Sequence, residues 1–129
     1  MSLEFDEKNK RMASDLRKIL TELKRITKGN LEIMNICDNE IELDAELSDN
    51  KFEKLKEWLR SNGYIDVNGA QNWITHYNNY DEYYITEEYR KIDNDWNYTD
   101  NSLVLEYYRV KSNDKEYYIL KKIYFEGRK

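Results

Sequence analysis

The chain has 129 residues with a formal net charge of -5; 36% of residues are charged and 40% apolar, and it contains four glycines, one cysteine and no proline. That length and apolar content suit one domain, residues 1–129, able to bury a core without disulfide or metal staples, while the acidic balance disfavours non-specific binding to nucleic acid or anionic membranes. The lone Cys37 excludes an internal disulfide, and no apolar run is long enough for a signal peptide or a membrane span, so the expected setting is the reduced cytoplasm, away from membranes.

The first element is a helix over residues 6–28, because Met12, Leu16, Ile19, Leu20, Leu23 and Ile26 recur at spacings of three and four. Asp6 and Glu7 suit its N-terminal end, Lys24, Arg25 and Lys28 its C-terminal end, and Gly29 its stop. The period then changes. Ile41, Leu43, Ala45 and Leu47 alternate with Glu40, Glu42, Asp44 and Glu46, the pattern of a half-buried strand. Leu31, Ile33 and Ile36, ahead of Cys37-Asp38-Asn39, suggest its hairpin partner with an imperfect alternation. A second helix is expected over residues 50–62: Asn50 and Glu53 have capping-box spacing, Phe52, Leu55, Trp58 and Leu59 form a stripe, and Asn62-Gly63 ends it.

Residues 64–67 suit a short strand with Asn68-Gly69 as a turn. Residues 70–100, polar yet rich in Trp and Tyr, resemble an interaction loop with one strand at 82–86 and one short helix at 87–92. Residues 102–125 read as a C-terminal hairpin about the polar turn Lys111-Ser112-Asn113-Asp114-Lys115. Strict alternation puts Leu103, Leu105, Tyr107, Tyr117, Ile119, Ile123 and Phe125 on one face and Tyr108, Tyr118, Tyr124, Glu106, Glu116 and Lys122 on the other. The expected fold is α+β: two main helices packed on an antiparallel, tyrosine-rich sheet.

Enzyme chemistry has little support. Nucleophilic catalysis would rest on Cys37 and the sole histidine, His76, and acids beside the cysteine disfavour its thiolate. Residues 93–104 place Asp93, Asp95 and Asn97 like a calcium loop, yet Tyr98 stands where glycine is needed and Val104 where the bidentate Glu belongs, so a solvated turn is the plainer reading. The four glycines are scattered, which leaves no phosphate loop, and no metal or cofactor is expected.

The segment Phe52-Glu53-Lys54-Leu55-Lys56-Glu57-Trp58-Leu59-Arg60-Ser61-Asn62-Gly63-Tyr64-Ile65, followed by Tyr83-Tyr84-Ile85-Thr86-Glu87-Glu88, resembles the recognition helix and wing strands of winged-helix DNA-binding domains. That resemblance, over about a third of the chain, implies nucleic-acid contacts from Lys51, Lys54, Lys56 and Arg60. The reading preferred from the residues themselves is a non-enzymatic protein-binding module of inhibitor, immunity or adaptor type. Tyr77, Tyr80, Tyr84, Tyr108 and Tyr118 would supply contact area. Glu40, Glu42, Asp44 and Glu46, about 6.7 Å apart along one strand face, would form an anionic ladder facing a protein partner, including a basic nucleic-acid-binding one. A homodimer is compatible with the same surface.

Overall fold

The computed structural model describes residues 3–37, 39–98 and 101–126, with side chains from Glu7 onward. In chain order the elements are α1 (Leu3–Thr27), β1 (Glu32–Cys37), β2 (Glu40–Ser48), α2 (Asp49–Ser61), β3 (Tyr64–His76), β4 (Tyr80–Lys91), β5 (Leu103–Ser112) and β6 (Glu116–Phe125). All six strands form one antiparallel sheet in the order β1-β2-β6-β5-β4-β3, so the fold is α+β, with the C-terminal hairpin at its centre.

The apolar stripe of α1 forms as its spacing requires, and Met12, Leu16, Ile19, Leu23 and Ile26 are buried. The helix stops where Lys28 and Gly29 both take positive φ, and the Gly29 N–H closes the last turn on the Lys24 carbonyl at 2.8 Å. α2 buries Phe52, Leu55 and Leu59. Its N-cap is Ser48, in extended backbone, whose hydroxyl accepts from the Lys51 N–H at 3.3 Å; the Asn50/Glu53 box is not the cap. Both helices lie on one face of the sheet, against Ile41, Leu43, Ala45 and Leu47 of β2, Leu120, Ile123 and Phe125 of β6, and Leu103, Leu105 and Tyr107 of β5.

Three sequence expectations change. Residues 70–91 are not a loop: β3 runs through Asn68-Gly69 to His76 and pairs with β4, which contains the strand expected at 82–86 and takes in all but Ile92 of the helix expected at 87–92. Cross-strand pairing wins over local signals because the β3 and β4 side chains partner each other along their whole length. The imperfect alternation of β1 is a bulge between Ile33 and Asn35, which lets Ile33 and Ile36 oppose Leu43 and Ile41. The third is a register shift between β5 and β6: Glu106 faces Lys122 but Tyr107 faces Leu120, leaving Lys121 as an extra residue. Beyond it the faces of β6 exchange. Tyr118 turns toward the helices, its ring 4.4 Å from Phe52, while Tyr117 and Ile119 go to the uncovered face beside Val110 and Tyr108. Tyr118 therefore leaves the set of exposed candidate binding residues. Lys121 and Lys122 both lie on the uncovered face, where they reach Asp44 and Glu40.

Buried polar groups tie the helices to the far strands. Asp15, on the inner side of α1, accepts from the Tyr64 hydroxyl at 2.5 Å and the Lys91 ammonium at 3.0 Å. Glu87, buried on β4, accepts from the Tyr107 hydroxyl at 2.8 Å, whereas the buried Tyr89 hydroxyl has no hydrogen-bond partner among the described residues. In urea denaturation, Tyr107→Phe is expected to cost about 1.5–3 kcal/mol, because Glu87 loses its donor. Tyr89→Phe should be neutral or stabilising by up to about 1 kcal/mol, since it deletes an unsatisfied group. Equal losses in the two variants would contradict this assignment. Asp15→Asn is expected to cost about 1–3 kcal/mol by the same measurement, the partial exposure of Lys91 keeping the effect below that of a fully buried pair.

Candidate functional site

The two helices cover the middle of one face of the six-stranded sheet, and the residues of the other face alternate with those of the core. Directly opposed residues on five successive strands form a row across that uncovered face: Glu46 on β2, Ile119 on β6, Tyr108 on β5, Tyr84 on β4 and Trp73 on β3. Trp73 stacks on Tyr84 with ring centroids 4.4 Å apart, and Tyr84 lies 5.2 Å from Tyr108. Tyr77 stacks on Tyr80 at 4.5 Å where β3 turns into β4. Of the tyrosines read from sequence, Tyr77, Tyr80, Tyr84 and Tyr108 thus share one surface, and Trp73, Tyr117 and Tyr124 join them.

A second row runs beside the first: Glu42, Lys122, Glu106, Thr86 and Ala70. At its centre the Glu106 carboxylate accepts one hydroxyl from Tyr84 and another from Tyr124, the latter at 2.9 Å. Burial is the main cause that pushes both phenols up from their ordinary value, and the hydrogen bond and charge of Glu106 add to it. Both rings are therefore neutral donors clamped on a carboxylate, which holds them on the uncovered side of the sheet with less rotamer freedom left to lose. Sequence reasoning did place Glu106 and Tyr124 on one face with Tyr108. It had no means of finding the Glu106 clamp, since Tyr84 is 22 residues away in the chain.

The anionic ladder of β2 is only partly as expected. Glu40, Glu42, Asp44 and Glu46 do share the uncovered side, but Asp44 pairs with Lys121 at 2.6 Å and Glu40 with Lys122 at 3.6 Å. Glu42 and Glu46 are the exposed members and, among the described residues, have no ion pair of this kind. Other expected chemistries are not assembled. Cys37 ends β1 and His76 ends β3, at opposite edges of the sheet and so at least about 24 Å apart at the usual strand spacing; His76 bonds Asp81 at 2.7 Å instead. Asp93 accepts the backbone N–H groups of Asp95 and Asn97 at 2.8 and 3.0 Å, a turn-closing role for the first residue of the calcium-like segment; Thr99 and Asp100 lie outside the described residues, as does Asp38. On α2, Lys54 is exposed, Lys56 lies over the Phe52 ring and Arg60 pairs with Glu53 at 3.3 Å. No described helix is long and apolar enough to cross a membrane.

No family model, curated protein or solved structure matches the chain.

Tyr89, Tyr107 and Tyr118 are, like Tyr84 and Tyr124, pushed up from the ordinary tyrosine value, with burial the largest cause in each. A folded state that holds these protons more tightly than the unfolded chain is fully stabilised below the unfolded value of about 10 and loses stability as pH rises above it. Absorbance titration at alkaline pH should therefore show these phenolates appearing together with loss of far-ultraviolet dichroism. Glu106→Gln should bring Tyr84 and Tyr124 part of the way back toward their ordinary value, leaving the burial effect. Full ionisation of all tyrosines near pH 10 in a folded chain would refute the assignment.

Proposed function

We propose that this chain is a non-enzymatic protein-binding module, of inhibitor, immunity or adaptor type, that presents the uncovered face of its sheet to a cationic partner. The observation that carries the reading is the row from Glu46 to Trp73: beside Glu46, four side chains with apolar surface, three of them aromatic, lie across four strands with no described helix over them. Tyrosine and tryptophan give large contact areas with few rotamers to immobilise, and such residues concentrate at interface centres. Their ring faces also attract Lys and Arg. Glu42, Glu46, Glu82 and Glu106 add negative charge around the rings, so a basic segment, including that of a nucleic-acid-binding protein, is the complementary surface.

The pairing of Asp44 and Glu40 with lysines shifts the electrostatic weight of the proposal from an even ladder toward Glu42 and Glu46. Capture from host extract should retain a protein rich in Lys and Arg. The Trp73→Ala/Tyr108→Ala pair should weaken its binding by at least about tenfold, as expected for central aromatic contacts, and raising salt should slow association. Lys54→Ala/Lys56→Ala should leave it unchanged. Undiminished binding by the Trp73/Tyr108 variant would remove the face from the proposal. Duplex DNA binding that Lys54→Ala/Lys56→Ala abolishes would instead favour the winged-helix-like reading.

A further inference from the structure

More than a third of the chain is charged, yet across the 13 residues of β3 the only Asp, Glu, Lys or Arg is Asp66. Among the described residues β3 is an edge strand, paired with β4 on one side and with nothing on the other, and from Asp66 to Ile74 every residue is exposed. Edges are ordinarily blunted by short length, lysine, proline or bulges. β1, the opposite edge, is short at 6 residues; β3 is long, carries neither lysine nor proline, and of these devices has only bulges. Small residues, Gly69 and Ala70, occupy its middle, and bulges at Val67 and Asn72 flank them.

The arrangement is complementary to itself. Ala70 lies midway along Tyr64–His76, so an antiparallel copy related by a two-fold axis at Ala70 sets Val67 of one chain opposite Trp73 of the other, twice. Both side chains are exposed, Val67 at 39% and Trp73 at 54%. In the same register each Asp66 meets Ile74 and not the other Asp66. A chain of net charge -5 is repelled by its copies, and β3 contributes a single charge, Asp66, to that repulsion. We propose that two copies of this chain pair through β3, joining their sheets into one continuous sheet in which the Trp73-Tyr84-Tyr108 row of each chain runs up to Val67 of the other.

Sedimentation velocity from about 1 to 200 μM, the range of a modest interface, should show the mass doubling. Val67→Lys/Ala70→Lys should hold the chain at monomer mass with unchanged dichroism, whereas Ile36→Lys on β1 and Tyr108→Ala on the open face should leave the dimer intact. Because lysines in β3 can also disturb folding, amide exchange of the unaltered chain provides a second reading: protection of β3 should rise with concentration, and that of β1 should not. A monomer at every concentration, concentration-independent exchange in β3, or a dimer lost through Ile36→Lys or Tyr108→Ala would each overturn the proposal. The pairing does not rest on the cationic-partner reading, since self-association is measured without any partner.

Discussion

The apolar stripes of α1 and α2 must leave water, and the face made by Leu43, Leu47, Leu105, Leu120 and Ile123 receives them. Burial of these side chains is the large favourable term in folding, and it imposes a condition on every strand beneath. Each must keep its apolar residues on the helix side while matching its neighbours' hydrogen bonds. Because side chains alternate, a one-residue error in register would send a whole strand's core residues to solvent.

Bulges are how this chain meets both demands. Met34 in β1 and Lys121 in β6 are extra residues that keep Ile33, Leu120 and Ile123 facing the core. The uncovered face is shaped by the same corrections. Lys121 sends Tyr118 beneath α2 and Tyr117 outward, and it adds a second lysine beside Lys122 against the acidic strand. In β3, the bulge at Asn72 sets Trp73 opposite Tyr84, where the rings stack. The electrostatic and aromatic character of the open surface is thus partly a by-product of the core.

Much of the architecture was legible because it is periodic. The stripes from Met12 to Ile26 and from Phe52 to Leu59 specify helices, and the eight residues from Glu40 to Leu47 specify a strand with a buried side. Residues 64–92 were harder to read, since their polar composition lacks a clean period of two and Asn68-Gly69 imitates a turn. Pairing with β4 overrides that local signal. The four tyrosines Tyr77, Tyr80, Tyr84 and Tyr108 emerged as candidates from composition and alternation alone, but Tyr118 was misplaced because strict alternation takes no account of an extra residue.

The amino-acid sequence by itself determined the helices, the α+β class, the acidic side of β2 and the abundance of tyrosine on the sheet. Each is a matter of residue type at short spacing, where covalent geometry dictates which side chains share a face. Tertiary structure alone decided that β2 joins β6, that Lys121 and Lys122 neutralise Asp44 and Glu40, and that Tyr84 and Tyr124 converge on Glu106. These depend on strand order and register, which are set by how six strands jointly cover a shared core and not by any local stretch of chain.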